Sequence, residues 1–349
     1  MRRVALVELV LLAALGLTPA VGCGTPESAP VPPAWTQTKF DYPRDDVLTL
    51  AHLQAKSTHN SYHVEPEGNE LEAWAYTHRS LEEQARALGV RHVELDLRRS
   101  PATGVFEVYH LPVVDDVTTC RELVRCLESL REFSDAHPGH HPIVVQLELK
   151  DGTPADYEAY FAALHAELLS VFVRERIVTP ALVQGGLESV GAAIAMRGWP
   201  TLGATRGMVM FTLDDTGAHR RAYTHDETSL DGRLLFPDSA PGDPFAAIAV
   251  LNDPVSDAAA ISAALAANML VRTRADSDSV EPYLGDTSRR DAALAVGAHF
   301  VSTDYPAEVP EHDYALAIPG GTPSRCNPVT ATAACTSEAL ESPSMLTAP

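Results

Sequence analysis

The chain has 349 residues, 45% of them hydrophobic, which suits one large domain or two small ones. Its formal net charge of −21 excludes nucleic acid as a partner, because phosphate backbones are bound by clustered Lys and Arg. The same charge sets the surface against anionic membranes, so an anionic substrate has to be held by local positive charge or by a bound cation. The sequence contains three lysines, Lys39, Lys56 and Lys150, so the position of the last carries information.

The N-terminus reads as a targeting segment rather than as structure. A basic "MRR" precedes an apolar run that is too short and poorly flanked for a stable membrane span. The run ends in "AVGC", which resembles a bacterial lipobox with Cys23 as the acylated residue. Residues 1–22 are then a lipoprotein signal peptide and the Pro-rich residues 23–44 a flexible tether. An exported, membrane-anchored bacterial lipoprotein is expected, or a secreted protein if the lipobox is not used. Four further cysteines remain, an even number that suggests two disulfides in an oxidising compartment. Of the three connectivities, the local pairs Cys120–Cys126 and Cys326–Cys335 are expected.

A strand is predicted over 52–58 and a helix over 70–89, closed by Gly89. "VRHVELDLR" (90–98) alternates as a strand, with Val93, Leu95 and Leu97 on one face and His92, Glu94, Asp96 and Arg98 on the other. After the turn "SPATG" comes a short strand at 105–110. A helix (120–137), a strand (142–149) and a helix (154–172) follow. The second half continues with strands at 207–214, 245–251, 269–274 and 299–303, and helices at 257–268 and 288–297. Repeated strand–helix units predict an α/β fold with a parallel sheet. At this length a single-domain (β/α) barrel of TIM type over residues 45–312, regular or distorted, is expected over an open doubly wound sheet. No glycine-rich nucleotide fingerprint follows the first strand. Residues 313–349 read as a loose tail, stapled only by the last cysteine pair.

In such a barrel the chemistry sits at the C-terminal ends of the strands. His59 and Asn60 follow the first strand, and Glu94 and Asp96 share a face of the second. His110 ends the next, Glu148 and Lys150 share a face late on "VVQLELK", Arg272 and Arg274 share one on "MLVRTR", and Asp304 follows "HFVST". Each has a plain alternative: a cap, a solvated face, a structural histidine, or a Lys150 paired with Glu148 or Asp151. Barrel strands, however, have no solvent-facing side, so paired carboxylates there need partners or a cation. Asn60, Glu94, Asp96 and Glu148 offer only oxygen donors, which suits Ca²⁺ or Mg²⁺ over zinc. That leaves two histidines free, one to stabilise charge and one to move a proton near neutral pH.

Taken in order, "THNSYH", "HVELDLR", "VYHLP", "PIVVQLELKD", "MLVRTRADSD" and "HFVSTDYP" resemble the bacterial calcium-dependent phosphoinositide-specific phospholipase C family over roughly residues 45–310. The resemblance implies a monomeric (β/α) barrel that cleaves phosphatidylinositol at a membrane surface. The inositol 2-hydroxyl attacks phosphorus, releasing diacylglycerol and a cyclic inositol phosphate. It implies Asn60, Glu94, Asp96 and Glu148 as calcium ligands, His59 as the group stabilising the pentavalent phosphoryl state, and His110 as general acid. Glu94 or Glu148 accepts the 2-hydroxyl proton. Arg274 matches a substrate-binding arginine, and Lys150 is a phosphate contact with less support. No lysine follows Lys150, which favours plain over polyphosphorylated phosphatidylinositol unless an arginine such as Arg206 substitutes. Two rivals remain open. One is a glycerophosphodiester phosphodiesterase, which "LELK" also fits but which begins with His-Arg-Gly. The other is a non-catalytic lipoprotein that binds inositol phosphates or calcium.

Overall fold

A computed structural model describes Pro32, residues 34–321 and residues 323–347. The expectations for residues 1–22, and for Cys23 in the lipobox, lie outside the described residues. Eight strands run parallel around a barrel: β1 (Leu53–Thr58), β2 (Val90–Arg99), β4 (Ile143–Leu149), β5 (Val209–Asp214), β6 (Leu235–Pro237), β7 (Ile248–Val250), β8 (Leu270–Arg274) and β9 (Phe300–Thr303). A short β3 (Phe106–Val108) pairs antiparallel with the end of β2, and β10 (Ser324–Cys326) pairs antiparallel with the start of β1. The order is β6-β5-β4-β2-β1-β9-β8-β7. A single parallel bridge, Asp238 to Ile248, links the two end strands. There the Asp238 side chain accepts from the Val250 amide at 2.9 Å, in place of a ladder carbonyl. This is the expected TIM-type barrel, with its thinnest seam between β6 and β7.

Alternation along the strands sorts the side chains. Val93, Leu95, Val145 and Leu147 belong to the main apolar core. His92, Glu94 and Asp96 take the other face of β2, and every one of them is buried. Neighbouring strands place Glu148 beside Asp96 and Asp214 beside Glu148 in register. The inward face of three adjacent strands therefore ends in a row of carboxylates.

The structure differs from the sequence reading in four places. First, β6 was not expected. It has three residues and ends in Pro237, which breaks off the apolar run before a strand pattern forms. Second, the helix expected over 70–89 is helical only at Leu81–Ala87, after one 3₁₀ turn at Glu72–Trp74. Ser80 caps it, and the segment before is drawn to the barrel mouth, where the Tyr76 carbonyl meets His63 Nδ1 at 2.9 Å and His78 Nε2 donates to the His59 carbonyl at 2.9 Å. Third, the end of the expected tether is packed. Gln37 donates to the Gly203 and Arg206 carbonyls, and the Arg206 guanidinium lies 3.4 Å from the centre of the buried Tyr42 ring. Fourth, the tail is not loose. Besides β10, it buries Leu340 and Glu341 against the N-terminal pole of the barrel, where Glu341 pairs with Arg91. Both expected disulfides, Cys120–Cys126 and Cys326–Cys335, are present.

Candidate active site

The turn after β1 is built to place two side chains. Asn60 adopts a left-handed backbone (φ 41°), a conformation Asn tolerates better than most residues. Ser61 locks the turn onto β2: its amide donates to the Glu94 carbonyl at 3.0 Å and its hydroxyl accepts from the Glu94 amide at 2.8 Å. Buried Gln84 holds the turn from behind, donating to the Ser61 carbonyl at 2.6 Å. The Asn60 carboxamide faces inward, where the Tyr62 hydroxyl donates to Oδ1 at 3.4 Å. Burial, then the charge of Asp96, pushes the Tyr62 hydroxyl well above its usual pKa, so Tyr62 reaches from Asn60 toward the acidic cluster.

Glu94, Asp96 and Glu148 each offer a carboxylate oxygen within 4.8 Å of the others. Burial pushes Asp96 well above the usual carboxylate range; Glu148 and Glu94 push the same way against Lys150. Neither Asp96 oxygen accepts a well-directed hydrogen bond, although Lys150 Nζ lies 3.3 Å from Oδ2. Lys150 also pairs with Glu148, and not with Asp151, which instead accepts from the Arg99 amide and the Tyr160 hydroxyl. Burial acts to raise Glu94 too, but Arg272, His59 and Arg274 outweigh it and hold it below the usual range. Asp214, next along the row, is pushed up to about 8 by burial and by Glu94 and Glu148. Three carboxylates within 4.8 Å of one another, one of them buried without a well-directed hydrogen bond and set against a single lysine, fit a hard divalent cation.

Two histidines flank this cluster. His59 Nδ1 donates to Asp304 Oδ1 at 2.8 Å, and its Nε2 lies 3.4 Å from Arg274 Nη1. Burial would raise Asp304, yet His59 and Arg274 hold it well below the usual range. Arg274 Nη2 also donates to Asp304 Oδ2 at 3.2 Å, and Asp276 accepts from the Asp304 amide. His110, opposite, donates through Nδ1 to Asp115 Oδ2 at 2.7 Å. Its backbone is fixed by Arg98, which donates to the carbonyls of His110 (2.8 Å) and Lys150 (3.1 Å). About a quarter of the His110 side chain is exposed and about a fifth of His59, so each ring presents one nitrogen toward the mouth.

The structure thus brings Glu94, Asp96, Glu148 and Lys150 into one cluster. Asn60 and His59 border it on the β1 side, and His110 sits on the β2–β3 side. Arg206 is elsewhere: it precedes β5, pairs with Asp45 and donates to the Gly139 and Leu340 carbonyls at the opposite pole, so it cannot substitute for ring-phosphate lysines. Sequence reasoning left several site residues without a role. Arg272 clamps Glu94 and also bonds Asn252, Asp304 orients His59, and Asp115 orients His110. Asp115, five residues after His110 in a loop, shows no strand periodicity that would reveal it. A cavity of about 620 Å³ lies beside the site, lined by Tyr76, His78, Asp304 and Tyr305 but by neither His110 nor the acidic cluster.

A family model described as "Phosphoinositide phospholipase C, Ca2+-dependent" matches residues 101–328. That span holds His110, Glu148, Lys150 and Arg274, while His59, Asn60, Glu94 and Asp96 precede it. Among solved structures, a Ca²⁺-dependent phosphatidylinositol-specific phospholipase C from Streptomyces antibioticus is 19% identical, with a TM-score of 0.54, 74% of this chain covered and 96% of that one. A calcium-dependent phosphoinositol-specific phospholipase C from Pseudomonas sp., in a myoinositol complex, is also 19% identical, with a TM-score of 0.57 and coverages of 80% and 95%. At such identities the likeness shows the fold. A search of curated proteins finds no match.

Proposed function

The chain belongs to the calcium-dependent phosphoinositide phospholipase C family, and on that premise we propose that it cleaves phosphatidylinositol to diacylglycerol and a cyclic inositol phosphate. The observation that carries the reading is the buried Asp96 carboxylate between Glu94 and Glu148, with Lys150 as its one nearby cation and no well-directed hydrogen bond, and with a carboxylate-oriented histidine on each side. Asn60, Glu94, Asp96 and Glu148 would hold calcium. When bound there, calcium supplies positive charge that lowers the pKa of the inositol 2-hydroxyl and neutralises phosphoryl oxygens.

The chain's own groups have separable tasks. With Asp304 ionised, the His59 Nδ1 proton is held, and His59 Nε2 and Arg274 face the phosphoryl oxygens. His110 gives its Nε2 proton to the departing diacylglycerol oxygen. Of the two carboxylates open as proton acceptor, Glu148 is the better supported. Glu94 is clamped by buried Arg272 and held below the usual range, whereas Glu148 pairs with Lys150, which is part-exposed and shared with Asp96, and is itself one-third exposed. Lys150 and Arg274 supply the local positive charge that the acidic surface lacks. The absence of further lysines, with Arg206 at the far pole, favours an inositol ring without extra phosphates.

The partner is a phospholipid surface, and the loop after His110 faces it: Val113 is 89% and Val114 55% exposed. Among the described residues no helix is long and apolar enough to cross a membrane. Anchoring through Cys23 in an exported lipoprotein belongs to the same proposal. The test is the fragment starting near residue 34, given phosphatidylinositol vesicles with calcium titrated and the soluble product identified. Calcium-dependent release of cyclic inositol phosphate is expected. Glycerol 3-phosphate as the soluble product, or full activity in excess EGTA, overturns the reading.

A further inference from the structure

The motif "THNSYH" ends in a histidine that the site described so far leaves without a role. His63 is completely buried. Its Nδ1 lies 2.9 Å from the Tyr76 carbonyl and its Nε2 2.9 Å from Asp115 Oδ1. The other oxygen of that carboxylate, Oδ2, accepts a hydrogen bond from His110 Nδ1 at 2.7 Å. One carboxylate therefore joins two imidazoles, one sealed in the fold and one at the mouth.

A proton inventory decides the state of His63. A carbonyl oxygen can only accept, and so can an ionised carboxylate. Burial would raise Asp115, but its hydrogen bonds to His110 and His63 outweigh that and bring it down to about 2, so it is ionised. Both His63 nitrogens therefore need protons. The surroundings suit a cation: the Tyr76 ring stacks on the imidazole with centroids 4.2 Å apart, and His78 nearby is brought down to about 4, chiefly by burial, and stays neutral.

We propose that His63 is a doubly protonated positioning residue that neutralises Asp115 and thereby makes His110 a stronger proton donor. The inference rests on the reading of His110 as general acid. A lone carboxylate beside His110 stabilises its imidazolium and holds the proton back; a carboxylate shared with a second imidazolium does so less. In the step itself, the inositol 2-oxygen forms its bond to phosphorus as its proton passes to Glu148, the phosphorus–oxygen bond to diacylglycerol breaks, and the electron pair of that bond stays on the departing oxygen. The Nε2 proton of His110 moves onto the oxygen. His110 ends neutral, still donating Nδ1–H to Asp115, and the His63–Asp115 pair is unchanged. His63 also shapes the loop: it bridges to Thr118, next to the exposed Val117.

The test compares two leaving groups on the calcium-loaded protein. Diacylglycerol needs a proton to depart; a 4-nitrophenyl ester of inositol phosphate does not. His63→Gln keeps a donor toward Asp115 but carries no charge. It is expected to lower kcat on phosphatidylinositol by about tenfold to a hundredfold with KM unchanged, and to leave kcat on the aryl ester near the parent value. Equal loss on both substrates, or no loss on either, overturns the proposal. His110→Ala serves as the control: if it too fails to discriminate, the acid reading itself is wrong, whereas discrimination by His110→Ala alone removes only the role of His63. Should His63→Gln not fold, ¹⁵N spectra of the intact protein at pH 7 decide. Protons on both His63 ring nitrogens support the inference, and one bare nitrogen overturns it.

Discussion

Asp96 shows how a binding site conflicts with stability at a single residue. Its carboxylate is fully buried, lies among like charges and lacks a well-directed donor. A carboxyl whose folded pKa is raised supports the fold below its unfolded value, and that support is lost as pH rises toward the folded value. The metal-free protein should therefore be handicapped by Asp96 at neutral pH. Asp96→Asn is expected to raise the melting temperature without calcium by a few degrees, corresponding to about 1–2 kcal/mol, with a gain that grows above pH 3.8. The same substitution should abolish the rise in melting temperature that calcium gives the parent protein. A variant less stable than the parent without metal would show that Lys150 already neutralises the cluster. Glu94 and Asp96 were legible in the sequence, since a strand with every second residue charged inside a barrel needs partners. Asp115 and His63 were not, because loop residues converge through tertiary contacts that carry no local period.

Strands were readable at the scale of elements where alternation or an apolar run marked them, as alternation did for β2 and β4 and the run "FAAIAVL" did for the three-residue β7. The three-residue β6 carries neither signal, since it is cut off by Pro237, and its side-chain cap at Asp238 is visible only in three dimensions. The false helix over 70–80 failed for a related reason: its amphipathic composition suits a segment laid over the mouth as well as a helix. The loop after His110 carries a sharper conflict. Val113 sits at φ 72°, a backbone region that a β-branched residue occupies only under strain, and its side chain is almost fully exposed. Folding alone would select glycine there. Insertion into a lipid surface would instead favour the valine, contributing about 1.5 kcal/mol if fully buried. Val113→Gly should therefore hold or raise the melting temperature while lowering turnover on phosphatidylinositol vesicles about tenfold. Turnover of the soluble aryl ester should not change. Equal turnover of vesicles by the two proteins would remove the loop from the membrane face.

Across the whole molecule the two poles of the barrel have opposite tasks. The C-terminal pole crowds buried acids that share a few cations; the N-terminal pole is sealed by residues from both ends of the described chain. Glu341 is the centre of that seal. It pairs with the guanidinium of Arg91, receives the His141 amide at 3.0 Å, and follows Leu340, whose carbonyl accepts from Arg206. Proline, threonine and alanine dominate the tail and suggest looseness, yet one acidic residue aimed at one buried arginine is enough to dock it, since an unpaired Arg91 would be costly. Burial acts to raise Glu341, but Arg91 and His141 outweigh it and bring it down to about 2. A lowered carboxyl stabilises the fold fully above its unfolded pKa, here 4.5, and the contribution is lost as pH falls toward 2. The shift corresponds to about 3 kcal/mol. Glu341→Gln should lower the urea stability at pH 7 by about that amount, and the gap between variant and parent should shrink to about half by pH 3. Calcium affinity should stay the same, because the seal and the acidic cluster lie at opposite ends of the strands. A gap that persists unchanged to pH 3 would mean that Glu341 acts through packing rather than charge, and a weakened calcium affinity would mean that the two poles are coupled through the barrel.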